Sequence, residues 1–288
     1  MMKKYLFLLF LSIIGLASAA QAKAQASQEE LDQQYADCIT RSFDYLEQDS
    51  LAEAETAIRE ALKIQPGNPS NGMLLGNLGS IQRRMGRLEE AEQSYTIGLG
   101  FMPENQTLLT SRASLYAEME AYDKAIDDYT TIIYHEAENE DALYERALCR
   151  LMNRDTLGAR LDLEQIDKFN PNSAKARLGM AYVYKAQRMF REASEIYDAL
   201  LERNPKSARL MRERAEVYYL SGRMAAALDD INRSIQADPR DPYSYILRAQ
   251  IRYAKNDREY ARRDLNQALE LGLSRAEADV LIQKLDKK

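Results

Sequence analysis

Apolar residues of fixed size recur along the chain at fixed spacing. The ten residues GRLEEAEQSY, 86–95, hold the pattern in short form: an alanine, Ala91, with a large aromatic, Tyr95, four positions later. Weaker copies place the same alanine at Ala54, Ala125, Ala159, Ala193, Ala227 and Ala261. After a first interval that is three residues longer, the period is 34 residues. A small residue stands twelve positions before each anchor (Ser42, Gly79, Ala113, Ala147, Ala181, Ala215, Ala249), and a large apolar one four positions after it (Ile58, Tyr95, Tyr129, Leu163, Tyr197, Ile231, Leu265). Small residues at two fixed sites let two helices approach closely, and the large side chain fills the space around them. Proline follows twelve positions after five anchors (Pro66, Pro103, Pro171, Pro205, Pro239) and stops a helix. Two positions beyond the proline site come Asn68, Asn105, Asn139, Ser173, Ser207 and Asp241, residues suited to capping the next helix. Each unit therefore predicts two antiparallel helices, with breaks at Gly86, Asp123, Asn153, Gln187 and Gly222.

A period of this length with these anchors resembles the tetratricopeptide repeat family. The resemblance covers residues 35–273, and it departs from the family in lacking the tryptophan of each unit; Cys38 stands at that site in the first. It implies an all-α, right-handed α-solenoid of seven helix–turn–helix units. The extra residues around Pro69-Ser70-Asn71 predict a local bend or a longer helix. Residues 23–34 form a lead-in, with Ser27 and Glu30 as a capping-box start to the first helix. Residues 274–288 form a last helix whose face of Ala278, Leu281, Ile282 and Leu285 covers the end of the array, as a solenoid requires.

Residues 1–22 read as an export signal: Lys3 and Lys4, an apolar run from Tyr5 to Leu16, then Ala17-Ser18-Ala19 or Ala20-Gln21-Ala22 as the cleavage site. The run is shorter than a spanning helix needs. The expected location is periplasmic or extracellular, with membrane association only if the segment is retained. Hydrophobic residues at 45% and charged ones at 29% suit a folded chain, and a net charge of −6 argues against nucleic-acid binding.

Chemistry-bearing residues are few. The single histidine, His135, lies among Glu136, Glu138, Glu140 and Asp141 without a ligand-spaced partner, and reads as solvated. Cys38 and Cys149 fall three units apart, too far for a disulfide, and read as buried free thiols. No phosphate loop, nucleophile elbow or zinc-protease signature occurs; Gly98-Leu99-Gly100 lacks the third glycine of a dinucleotide site. Neither catalysis nor a metal or cofactor is expected.

Two patterns remain. Arg112, Arg146, Arg214 and Arg248 lie thirteen before their anchors, and Asp128, Asp162, Asp230 and Asp264 three after theirs. They predict a structural ladder of arginine–aspartate pairs, absent from unit two (Leu78, Ser94) and swapped for Met180 and Ile196 in unit five. The resemblance also implies that the first helix of each unit lines a concave groove. Its inward stripe in units five to seven is Lys175, Leu178, Tyr182 and Lys185, then Arg209, Arg212, Glu216 and Tyr219, then Tyr243, Ile246, Gln250 and Tyr253. Tyrosine and arginine favour interfaces, so this stretch is the expected site for a partner's polypeptide segment, one of acidic character suiting its basic groups. Units two and three offer a milder surface. The lysine and asparagine with which some family members grip a C-terminal carboxylate are missing: Arg212 and Glu216, for example, stand at those sites in unit six. The expected role is a binding scaffold; the alternative is a membrane-tethered assembly factor or a regulatory subunit of an envelope enzyme.

Overall fold

The computed structural model describes residues 2–286, with side chains placed from Gln25 onward. The signal-like segment 1–22 lies outside the residues whose side chains are described. Among the described residues there are fifteen helices and no strand. They pair as seven hairpins: α1 (Met2–Glu47) with α2 (Leu51–Ile64), α3 (Asn71–Arg84) with α4 (Leu88–Phe101), α5 (Gln106–Glu118) with α6 (Tyr122–His135), α7 (Glu140–Met152) with α8 (Thr156–Phe169), α9 (Ala174–Ala186) with α10 (Phe190–Arg203), α11 (Ala208–Leu220) with α12 (Met224–Ala237), and α13 (Pro242–Ala254) with α14 (Arg258–Glu270). α15 (Arg275–Asp286) follows. The chain divides into two compact bodies, 1–137 with repeats one to three and 138–288 with repeats four to seven and α15.

Close approach of paired helices explains the periodic alanines. All seven anchors are fully buried, from Ala54 to Ala261, and the residues four positions after them are at most 4% exposed. Gly79 shows how tight the contact is: a β-carbon there would lie 2.8 Å from the Tyr95 ring. At Gly98 it would lie 2.9 Å from the carbonyl oxygen of Gly72, so two backbones touch where repeats one and seven place alanine. Within each body the second helix of one repeat packs on the first helix of the next, and α3 meets α5, α7 meets α9 and α11 meets α13. Successive first helices thus share one face.

Five predicted caps form. Asn105, Asn139, Ser173, Ser207 and Asp241 each accept a backbone N–H of the helix they open. The sixth does not: α3 starts at Asn71 behind Ser70, while Asn68 accepts from the Ser70 N–H inside the linker. The three extra residues lengthen that linker and add one residue to the helix. The reciprocal capping box expected at Ser27 and Glu30 is also absent, because α1 runs straight through both. A box of that type forms instead at α15, where Ser274 Oγ accepts from the Glu277 N–H at 3.2 Å and Glu277 Oε2 accepts from the Ser274 N–H at 3.0 Å.

The hairpin turns follow a rule that the spacing alone did not reveal. Five positions before every anchor the backbone is left-handed: Asp49, Gly86, Glu120, Arg154, Arg188, Gly222 and Asn256 all have positive φ. Asp123, expected to break repeat three, sits inside the first turn of α6; the break is two to four residues earlier and centres on Glu120, φ 57°. An acidic side chain one turn into a helix favours its positive end, which is why Asp123 suits the helix rather than the break.

The ends are finished differently. Asp44 is exposed at a position where Ile81, Leu115, Cys149, Val183, Val217 and Ile251 form a buried column, so that column ends on a polar residue in the first repeat. At the other end Ala278, Leu281 and Leu285 of α15 are buried against Leu265, Ala268 and Leu273. Among the described residues no helix is long and apolar enough to cross a membrane.

Candidate first-helix interface of repeats five to seven

Arginine–aspartate pairs fasten the hairpins of repeats three, four, six and seven. Arg112, Arg146, Arg214 and Arg248 project from first helices, and each donates through Nε and Nη2 to both carboxylate oxygens of its aspartate on the second helix, at 2.6–3.0 Å. Asp128, Asp162, Asp230 and Asp264 are at most 5% exposed. A two-pronged bond of this kind defines both distance and orientation. Three of these arginines also reach back to the preceding second helix: Arg112 to Thr96 (3.1 Å), Arg214 to Asp198 (2.5 Å) and Arg248 to Asn232 (2.9 Å). One guanidinium thereby ties three helices. Arg41, which lacks an aspartate at the matching site, pairs with Glu60 instead.

A run of contacts along the first-helix face of the second body joins one first helix to the next. Lys175 of α9 pairs with Asp141 of α7. Arg209 of α11 donates to the Tyr182 hydroxyl of α9 at 3.2 Å. Lys185 of α9 binds Glu216 at 2.7 Å and Glu213 at 3.4 Å, both on α11, and stands over the Tyr182 ring. Arg212 of α11 binds Asp241, the cap of α13, at 2.5 Å and lies over the Tyr243 ring. Tyr243 of α13 donates to Glu277 of α15 at 3.1 Å. The result is a continuous polar and aromatic seam from α7 to α15. Burial alone lowers the Lys185 pKa, yet the field and hydrogen bonds of Glu216 and Glu213 outweigh it and hold the ammonium above its ordinary value.

The predicted stripe is therefore brought together, but its members divide. Leu178, Tyr219, Ile246 and Tyr253 are half-buried and pack into the hairpin cores. Gln250 is half-buried as well. Lys175, Arg209 and Tyr243 are exposed, and Tyr182, Lys185, Arg212 and Glu216 are half-buried within the seam. The excess of positive charge that the stripe suggests is not there: Lys175, Lys185 and Arg212 each hold a carboxylate, and Arg209 holds a tyrosine hydroxyl. The stripe alone missed Asp141, Glu213 and Asp241, which do the neutralising. Asp241 was legible only as a helix cap, Asp141 belongs to repeat four, and Glu213 lies off the chosen positions. Tyr144 on α7 also belongs here; burial, the main cause, pushes its hydroxyl up to about 12, with the charges of Tyr182, Glu145 and Glu213 adding to the rise and Arg209 opposing it.

Other candidates are structural. Cys38 and Cys149 are buried free thiols. Burial, the main cause, pushes Cys149 up to about 11, so it is a poor nucleophile at neutral pH. His135 is the exposed last residue of α6, 3.7 Å from Glu104. Among the described residues no group of three or more His, Cys, Asp or Glu side chains is placed to hold a metal ion.

Residues 44–100 and 178–242 match the tetratricopeptide repeat family. The crystal structure of a tetratricopeptide repeat protein from Parabacteroides merdae is 34% identical, covers 88% of this chain and 99% of its own, and superposes with a TM-score of 0.84. The pilF structure from Pseudomonas aeruginosa covers 77% of this chain and 99% of its own at 17% identity and a TM-score of 0.55, a likeness of fold alone. The Hsp70-Hsp90 organizing protein of Triticum aestivum is 26% identical over 220 residues, 64% of this chain but only 38% of the organizing protein's length.

Proposed function

Because the chain belongs to the tetratricopeptide repeat family, whose members mediate protein–protein interactions, we propose that it is a binding scaffold that holds a polypeptide segment of a partner along the first-helix face of repeats five to seven. The observation that carries this reading is the seam itself. Tyrosines and arginines from successive first helices lie edge to edge, ordered by mutual contacts before any partner arrives. Such preorganisation lowers the entropic cost of binding. Since Lys175, Lys185 and Arg212 already hold carboxylates, recognition rests on aromatic surface and hydrogen bonding, with only a minor share from attraction of an acidic segment.

The likeness to the organizing protein supports the scaffold class and does not carry its named partners across. The residues fifteen and eleven before the anchors are Leu178 and Tyr182 in repeat five, Arg212 and Glu216 in repeat six, and Ile246 and Gln250 in repeat seven. None of these sets offers the lysine and asparagine that would take a terminal carboxylate.

The test selects binders from a random-peptide phage library on the full chain. It then measures the synthesised peptides against a variant carrying Lys175→Ser, Arg209→Ser and Tyr243→Ser. All three side chains are exposed, so helicity by circular dichroism should be unchanged while affinity falls at least about tenfold, as for loss of interface anchors. Equal affinity for the variant refutes the assignment.

Export completes the proposal, and it rests on the basic start, apolar run and alanine-rich end of residues 1–22. Mass spectrometry of the mature protein should find the N-terminus after Ala19 or Ala22. A retained segment in the membrane fraction would favour the tethered assembly factor.

A further inference from the structure

Three repeats place a tyrosine four positions after the anchor: Tyr95, Tyr129 and Tyr197, at 1%, 2% and 0% exposure. In repeats two and three the ring lies under the first helix and the hydroxyl meets the serine eleven before the anchor. Tyr95 is 3.0 Å from Ser80 and Tyr129 is 3.4 Å from Ser114. Those serines occupy the inward stripe of the first helix, so a tyrosine at this site aims its hydroxyl at the first-helix face. In repeat five the serine's place is taken by Tyr182, whose own hydroxyl is turned to Arg209. The Tyr197 hydroxyl is left without any hydrogen-bond partner, although it is shut off from solvent.

Buried hydroxyls are rarely left in that condition, because the lost hydration is not repaid. The surroundings say what the group can bind. Burial, the main cause, drives the phenol's pKa far up, with the charges of Glu213 and Glu216 adding to the rise. Tyr197 therefore stays protonated and serves as a donor that needs an acceptor. Lys185 and Arg209 balance these two carboxylates, so no excess positive charge draws an anion to the hydroxyl, and an uncharged acceptor fits it. A main-chain carbonyl meets both conditions, and an extended segment lying on the seam carries one at every residue.

We propose that Tyr197 is the floor donor of the segment-binding site, giving its hydrogen bond to a main-chain carbonyl of the bound segment when the Tyr182 ring turns aside. This rests on the scaffold reading above and adds to it a defined contact. A rotamer change of one side chain is an ordinary accompaniment of binding. Tyr182 then acts as the cover of the site in the free chain and as an aromatic wall in the complex.

The peptides selected on the full chain serve as probes. Their affinity is measured by fluorescence anisotropy for the parent chain, for Tyr197→Phe, and for the variant with Lys175, Arg209 and Tyr243 replaced by serine. Tyr197→Phe should weaken binding about tenfold, the worth of a buried hydrogen bond whose loss strands an acceptor. Replacing the peptide amides by esters, one at a time, should find one position that weakens binding to the parent chain and leaves binding to Tyr197→Phe unchanged. In the free protein, Tyr95→Phe should lower Tm, because it breaks the Ser80 contact, whereas Tyr197→Phe should leave Tm unchanged or raise it.

If Tyr197→Phe binds as the parent does while the triple variant loses affinity, the groove stands and the floor donor is refuted. If neither variant loses affinity, the groove assignment falls and the donor with it. A drop in Tm for Tyr197→Phe comparable to that of Tyr95→Phe would show the hydroxyl already satisfied in the free chain, and would overturn the inference.

Discussion

Repeat three and repeat five are the same hairpin fastened in two ways. In repeat three a buried carboxylate, Asp128, is gripped by Arg112, and the core tyrosine hydroxyl is in contact with Ser114. In repeat five Met180 and Ile196 replace the ionic pair, and Tyr197 has lost its serine. Anchors, helix lengths and the left-handed turn are common to both. The comparison teaches that the backbone arrangement depends on the small-residue contacts, while the polar fastening is exchangeable. Where the fastening is relaxed, a polar atom is available for something outside the hairpin.

The largest expected effect tests whether the fastening is exchangeable. Asp128→Ala deprives Arg112 of its two-pronged partner in a largely buried setting and should cost about 3 kcal/mol in chemical denaturation. Installing the repeat-five pair, Arg112→Met together with Asp128→Ile, should stay within about 1 kcal/mol of the parent, since well-packed apolar residues substitute for buried ion pairs at little net cost. A double variant as damaged as the single one would show that the charge itself holds the hairpin.

A smaller effect addresses what the two repeats share. Glu120 and Arg188 occupy the left-handed turn with φ of 57° and 61°, where repeats two and six use glycine. Glu120→Gly and Arg188→Gly should each raise stability by about 0.5–1 kcal/mol, the relief of left-handed strain less glycine's entropy. Similar gains at both sites, read as shifts in Tm, would confirm that the turn is independent of the fastening. A gain confined to one repeat would tie turn and fastening together.

The smallest effect is a pH dependence on the side of repeat three. Glu92 of α4 accepts from Lys124 at 2.9 Å and from Tyr116 at 3.0 Å. The Lys124 hydrogen bond, the main cause, holds its carboxyl below the usual value, against burial. A depressed carboxyl contributes stability at neutral pH that is lost as pH falls through its folded value. Glu92→Gln should therefore be less stable than the parent at neutral pH and equal to it in acid. At the matching site beside repeat five stands Arg160, whose ion pair with Glu164 is exposed and lies within one helix, so Arg160→Gln should show a much weaker acid-side convergence.

Much of this was legible in residue order. The fourfold pairing of Arg112, Arg146, Arg214 and Arg248 with their aspartates could be read from spacing, because a helix period and a constant repeat place the same side chains opposite one another each time. The turn at Glu120 was not legible, because non-glycine residues occupy the left-handed site in five of the seven repeats and carry no common chemical mark. The neutral balance of the seam was hidden for a related reason. Lys185 and Arg212 meet Glu213, Glu216 and Asp241 on the neighbouring first helix, and which residues face each other there depends on how consecutive hairpins are rotated.

Residue order by itself determined the seven hairpins, their two close-packed columns and the ionic ladder, since each follows from local periodicity and from sizes that admit only one packing. The tertiary structure alone decided that the aromatic seam is charge-balanced and that one core tyrosine lacks a partner. Both depend on side chains about one repeat apart or on how one ring displaces another, and neither a pairing across hairpins nor an unmet hydrogen bond has a signature in a single stretch of chain.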